Sequence, residues 1–241
     1  MTPKGVAGID IENLFTTQDG GKQNETTFNP LYGVLDWIEA DIVFALLDLR
    51  PDPGQNEFGM GDTLLFSKIK ILGDNSYFGK NEYLPEIALE PSVLIPTGDE
   101  AKGLGGGKIQ LGILLVLEKH FWKVAGRANF GHFASNETTF NENFVNQFFY
   151  GVQIDFPVFT DRLRLGTELT GEFGEDIGAP LFSLTGFIFQ ITNDIVLDAG
   201  VELGLNDAGV ELGVKQTASQ VTVITGLSFG FSPFEWFVSN E

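Results

Sequence analysis

Between residues 107 and 118 every second position is apolar: Ile109, Leu111, Ile113, Leu115 and Leu117 fall on one face, while Lys108, Gln110 and Glu118 fall on the other. A period of two is the periodicity of a β-strand. The alternation recurs along the chain in stretches of ten to fourteen residues. Soluble sheets use strands of roughly 5–6 residues, whereas a tilted strand needs roughly 9–11 to cross a bilayer. The pattern therefore predicts an all-β fold, a transmembrane antiparallel up-and-down β-barrel.

Twelve strands are predicted, at 5–16, 27–35, 38–50, 62–73, 84–96, 107–118, 121–133, 144–156, 161–173, 180–191, 194–204 and 219–231. Four connections are short (36–37, 119–120, 157–160, 192–193), and they alternate with longer ones rich in Gly, Asp, Asn, Pro or Glu (17–26, 51–61, 97–106, 134–143, 174–179, 205–218). Periplasmic turns and extracellular loops alternate in this way. The connection at 74–83 is long for a periplasmic turn. An even strand count puts both termini on the periplasmic side. With no break in composition, 1–231 reads as one barrel domain and 232–241 as a short tail.

Composition agrees with that class. The chain has 30 Gly and 23 Phe, which a barrel uses for curvature and for its outer wall and girdles. No apolar run approaches the roughly 18 residues of a membrane helix. A net charge of −19 leaves no basic patch to neutralise phosphates, so a nucleic-acid partner is excluded and the acidic excess belongs in water, in loops or a hydrated lumen. The chain has no cysteine, hence no disulfide scaffold, thiolate metal site or cysteine nucleophile. Its first residues lack a charged n-region and apolar h-region, so under the barrel reading Met1-Thr2 stands where a signal peptide was removed.

The charged face of each strand must be the lumen, because a charge at mid-depth on the lipid face costs about 2–4 kcal/mol. In 161–173, Arg162, Arg164, Glu168 and Glu172 oppose Leu163, Leu165, Leu169 and Phe173; in 38–50, Glu39 and Asp41 oppose Ile38, Ile42, Phe44 and Leu46. The same phase turns Asp10, Glu12, Lys68, Lys70, Glu90, Lys108, Glu118, Lys123, Arg127, Gln153, Asp155, Asp198 and Glu202 inward, a lining of mixed sign. Strand 180–191 leaves its register open, with Phe182 and Ile188 on one face and Phe187 and Phe189 on the other.

A sequence of short motifs runs through this pattern: YGV at 32–34 before a short turn, GMGD at 59–62 leading into a Lys-bearing strand, LIPTGD at 94–99, a glycine-rich loop, GLND at 204–207 and GLSFGF at 226–231. Their order and spacing over residues 5–231 resemble the outer-membrane family of the MetA pathway of phenol degradation. That resemblance implies a barrel in the bacterial outer membrane, associated with passage of small hydrophobic or aromatic compounds. GLSFGF also resembles the C-terminal signal that the outer-membrane assembly machinery recognises, with Gly226, Phe229 and Phe231 on its glycine and aromatic positions. Ten residues follow it here, so either Phe231 or Phe237 closes the last strand.

Two repeats stand out. DAGVELGLN at 198–206 is followed by DAGVELGVK at 207–215, read as an extended hairpin arm outside the membrane. NETTFN occurs at 24–29 and 136–141, in expected outer loops, and Tyr-Gly-Val follows each copy. Chance, parallel loop function and a six-strand duplication all account for it.

Catalytic patterns are weak. His120 and His132 allow a Ser-His-Asp set by count alone, but His132 is followed by Phe133, Ala134 and Ser135, where a His-x-Ser pair is wanted. GLGGGK at 103–108 lacks the Ser/Thr of a phosphate loop and precedes a strand. Asp99 with Glu100, and Glu172 with Glu175 and Asp176, lack calcium-loop spacing. The expectation is a passive channel for small hydrophobic or aromatic compounds, not an enzyme, with no cofactor or metal and with membrane lipid and the assembly machinery as partners. Two alternatives are a structural or adhesive barrel plugged by ion pairs and a soluble lipocalin-like carrier with its apolar face inside.

Overall fold

The computed structural model describes residues 1–18, 21–50, 56–81, 83–138, 141–174, 179–205 and 220–231, with the side chains at 18, 136–138, 141–145 and 231 excepted. Among the described residues thirteen strands form one antiparallel sheet: β1 (Ala7–Gln18), β2 (Gly21–Leu35), β3 (Ile38–Arg50), β4 (Glu57–Met60), β5 (Thr63–Leu72), β6 (Glu86–Ile95), β7 (Gln110–Phe121), β8 (Val124–Thr138), β9 (Asn141–Val158), β10 (Thr160–Gly174), β11 (Leu181–Gln190), β12 (Ile195–Gly204) and β13 (Val221–Phe231). Apart from β4 and β5, each strand pairs with its sequence neighbours, and β1 pairs with both β2 and β13, so the sheet closes. β4 and β5 both pair with β3, at Leu46–Leu49 and Ile38–Val43. They are two halves of one stave, and the barrel has twelve staves. Among the described residues the helical structure is one 3₁₀ turn at Glu100–Lys102.

All twelve predicted strands are present, with four local corrections. The hairpins expected to open at 17–26 and 134–143 stay paired nearly to their tips, at Gln18↔Gly21 and Thr138↔Asn141. NETTFN at 24–29 is therefore strand, not loop, and the second copy straddles the β8–β9 tip. The stave expected at 62–73 begins at Glu57 and is interrupted at Gly61-Asp62, where the register with β3 shifts by one residue. Inward positions are consequently odd-numbered in β4 and even-numbered in β5. The third correction is at β7, which starts at Gln110, so Lys108 precedes the strand; the fourth is at Trp122-Lys123, which forms the turn into β8. The second tandem copy (207–215) and the tail 232–241 lie outside the described residues.

Residues directly opposed in an antiparallel ladder share a face. Glu39 is opposed to Lys68 and Gly33, and following the registers around the barrel carries that face through Thr27, Glu12, Gly226, Asp198, Ile188 and Arg164. Glu39 and Asp41 are each only 2% exposed. The opposite face carries the exposed apolar side chains, among them Ile42, Phe44, Leu111, Ile113, Ile154, Leu165 and Val201. Polar in and apolar out is the arrangement of a membrane barrel and the inverse of a lipocalin-like carrier.

The end of the barrel that carries the short turns is rimmed by aromatics. Trp122 and Phe159 occupy left-handed turns at φ 59° and 61° and are 91% and 97% exposed. The longer β5–β6 connection contributes Tyr77, edge-on to Trp37 at 5.2 Å and to Phe78 at 4.8 Å. Amphipathic rings at this level match an interfacial girdle.

Candidate functional site

The lumen is the candidate site, and its charges are sorted. Within the paired ladder, Lys68, Lys70, Arg127 and Arg164 are the Lys and Arg residues of the inward face, and each holds a carboxylate in the half of the barrel nearer the short turns. Lys68 Nζ lies 3.1 Å from Glu39 and 4.0 Å from Asp41, and Lys70 Nζ lies 3.2 Å from Glu86. Arg127 donates from Nε and Nη2 to Glu118 Oε2 (2.9 and 2.6 Å) and from Nη1 to Gln153 Oε1 (2.9 Å). Arg164 pairs with Asp155 through Nε and donates from Nη2 to the Lys123 carbonyl at 3.2 Å. Glu39 also accepts the Thr2 backbone N–H, which draws the N-terminal residues against the inner wall, where Gly33 leaves room for Pro3.

By contrast, Asp10, Glu12, Glu25, Glu90, Glu168, Glu172, Asp198 and Glu202 make no ion pair among the described residues. Glu172 accepts from Gln147 at 2.7 Å. The mixed-sign lining expected from sequence is thus a sector on β3 and β5–β10 in which every inward Lys and Arg is ion-paired and Glu90 on β6 is left over, and an acidic sector on β10–β13 and β1–β2. Three residues assigned to the lining sit elsewhere. Lys108 lies in the loop before β7; Lys123 is in the β7–β8 turn, bonded to Asp161 at 2.7 Å; Arg162 is exposed where the β9–β10 register is irregular.

The lumen also has an apolar part that charge patterning missed. Phe66, Leu114, Phe133, Phe149, Phe182, Leu184 and Ile188 share the inward face by register. This settles β11: Phe182 and Ile188 point in, Phe187 and Phe189 out.

The glycine-rich loop between β6 and β7 is ordered and docks on the inner wall near the outer mouth. Asp62 accepts from the backbone N–H of Gly98 and Gly106 at 2.9 and 2.8 Å, and Thr97 Oγ1 donates to the Gly61 carbonyl at 2.9 Å. Leu104 is 3% exposed, seated where a side chain on Gly59 would collide with it. Asp99 caps the 3₁₀ turn by accepting from Ala101 N–H. GMGD and LIPTGD, 32 residues apart in sequence, meet here, and the interruption at Gly61-Asp62 is what aims Asp62 at the loop.

The remaining candidates separate. His132 is on the outward face, 4.8 Å from the Phe148 ring and 3.0 Å from Asn146, whereas Ser135 is on the inward face. His120 lies at the rim, 2.7 Å from Glu118. The two histidines and that serine do not converge. Among the described residues no three His, Asp or Glu gather as a metal site. Gly226 lies inward, beneath the Asp198 carboxylate, and a side chain there would collide with it at 2.4 Å; Phe229 is on the outward face.

Solved structures resemble this barrel over nearly its whole length. An outer membrane channel from Pseudomonas putida F1 superposes with a TM-score of 0.70 at 14% identity, covering 96% of this chain and 97% of that one. The NanC porin gives 0.61 at 10% identity (92% and 98% covered), and the KdgM porin in complex with disordered oligogalacturonate gives 0.56 at 11% (92% and 99%). A search among curated proteins finds no significant match. These likenesses establish the fold, a β-barrel shaped like those of outer-membrane channels and porins. Residues 13–217 match the model of the family described as "Putative MetA-pathway of phenol degradation", and the chain belongs to that family.

Proposed function

We propose that the protein is a passive channel of the bacterial outer membrane for small hydrophobic or aromatic compounds, working without chemistry or cofactor. The observation that carries this reading is the composition of the inner wall: carboxylates without an ion-pair partner among the described residues, which favour water, share the inward face with Phe66, Phe133, Phe149 and Phe182, which offer apolar contact. The family's link to phenol degradation and the channel and porin neighbours support it. An anionic oligosaccharide of the kind in the KdgM complex suits this lumen poorly, because the acidic sector would repel it.

The test is uptake. Cells devoid of other broad-specificity barrels and supplied with this one should accumulate radiolabelled benzyl alcohol at micromolar concentration faster than cells carrying an empty vector, and a sugar acid of similar size should gain nothing. Equal acceleration of both solutes, or of neither, would overturn the substrate class.

A further inference from the structure

We infer that a recess in the lumen wall across β10–β13 is a binding subsite for a flat apolar molecule bearing an ammonium group. The inference deepens the channel reading above and rests on it.

Three glycines stand directly opposite one another on adjacent strands, Gly166↔Gly186 and Gly186↔Gly200, and all three fall on the inward face. With no side chain along that row, the wall is hollowed to bare peptide. Strands also approach closely there: a side chain on Gly186 would lie 2.4 Å from the Ala199 carbonyl, and one on Gly200 would lie 2.9 Å from Leu184 Cδ1. Leu184, Ile188, Val196 and Ile224 wall the hollow, leaving a cavity of about 340 Å³. A cavity of about 150 Å³ lined by Leu, Ile and Phe holds benzene, so this one, walled by Leu, Ile and Val, has space for a ring and a short arm. Bare peptide planes form the floor and the branched aliphatics around them form the sides, a shape that favours a flat body.

The rim supplies the charge preference. Glu12, Glu168 and Asp198 line the recess, and no Lys or Arg does. Glu12 and Asp198 flank Gly226 from the two neighbouring strands, so both carboxylates belong to one row around the barrel. Neither they nor Glu168 makes an ion pair among the described residues. The bases near the recess in the register are already engaged, Arg164 by Asp155 and two backbone carbonyls and Arg127 by Glu118 and Gln153. An apolar slot rimmed by carboxylates without counter-charges retains an aromatic ammonium better than a neutral isostere and rejects an aromatic carboxylate.

The experiment is single-channel recording on the refolded barrel in potassium chloride with phenethylammonium, phenethyl alcohol or 3-phenylpropionate added. Phenethylammonium should interrupt the current, with dwell times longest for the ammonium, shorter for the alcohol and absent for the carboxylate. Losing two charge-assisted contacts in Glu12→Gln/Asp198→Asn should shorten the ammonium dwell by at least about tenfold. Ile188→Trp should shorten all dwells by filling the slot, and the control Asp48→Asn, on the outward face of β3 and paired with Arg50, should leave them unchanged. Equal dwells for the three probes, or dwells unaffected by the double substitution, would overturn the subsite. A barrel that never conducts would sink the channel reading itself. In that case calorimetric titration of the folded barrel in detergent with phenethylammonium tests the recess alone, and the absence of saturable, Asp198-dependent heat would overturn it.

Discussion

Lys68→Ala is expected to destabilise the barrel by about 3–5 kcal/mol, the cost of leaving buried charge without its partner. Glu39 and Asp41 stand two residues apart on β3, with side chains 2% and 0% exposed, and Lys68 is the cation that faces both. Among the described residues neither Asp41 oxygen meets hydrogen-bond geometry, and its ionic partner is Lys68, 4.0 Å away. Lys68 also lies over the Phe66 ring, 5.4 Å from its centre, which fixes the stem of the side chain. Urea titrations of the barrel in lipid vesicles, followed by tryptophan fluorescence, measure the loss. The triple substitution Lys68→Met/Glu39→Gln/Asp41→Asn should recover most of it, because no buried charge is left unpaired. If Lys68→Ala costs less than about 1 kcal/mol, the range of an exposed pair, the triad is wetter than its burial indicates.

On the opposite face, Leu111→Arg or Leu165→Arg should each cost about 2–4 kcal/mol in lipid, the depth-dependent penalty for a guanidinium on the outer wall of a barrel. Both positions alternate with inward residues, Leu111 between Gln110 and Gly112 and Leu165 between Arg164 and Gly166. They are 51% and 39% exposed in the isolated chain, and that exposed surface is what the bilayer covers. Gln110→Arg, one residue from Leu111 but turned inward, should be tolerated. The same refolding titration distinguishes the cases, and the reverse ranking would mean that the barrel is inside out.

How much of this was legible in the sequence depends on where the two faces of a strand meet different solvents. Across the bilayer they do, and β7 and β10 show their alternation plainly enough to set phase and strand count. Beyond the bilayer both faces are wet and alternation carries no information, so the polar extensions of β2 and β8 read as loops although their backbones remain paired. β11 failed for the opposite reason. Its inward face is apolar at Phe182, Leu184 and Ile188, so both faces look alike, and that same apolar lining makes the recess. The slip at Gly61-Asp62 alters one residue of register, and its purpose becomes visible only when Asp62 meets Gly98 and Gly106, 36 and 44 residues away. Charge sorting was hidden similarly: the signs were readable strand by strand, but pairing Arg127 with Glu118 and Arg164 with Asp155 needs the neighbouring strand in register.

The central claim is a water-filled passage whose free charges are carboxylates, and the reversal potential of single channels across a potassium chloride gradient tests it most directly. Because Lys68, Lys70, Arg127 and Arg164 are neutralised in pairs while the acidic sector is not, the channel should prefer cations. The preference should shrink as salt rises from 0.1 M to 1 M and the Debye length falls from about 10 Å to about 3 Å. Current that reverses on the cation side and loses selectivity with salt is the predicted result; an anion preference, or no conductance in a correctly folded barrel, would contradict the account.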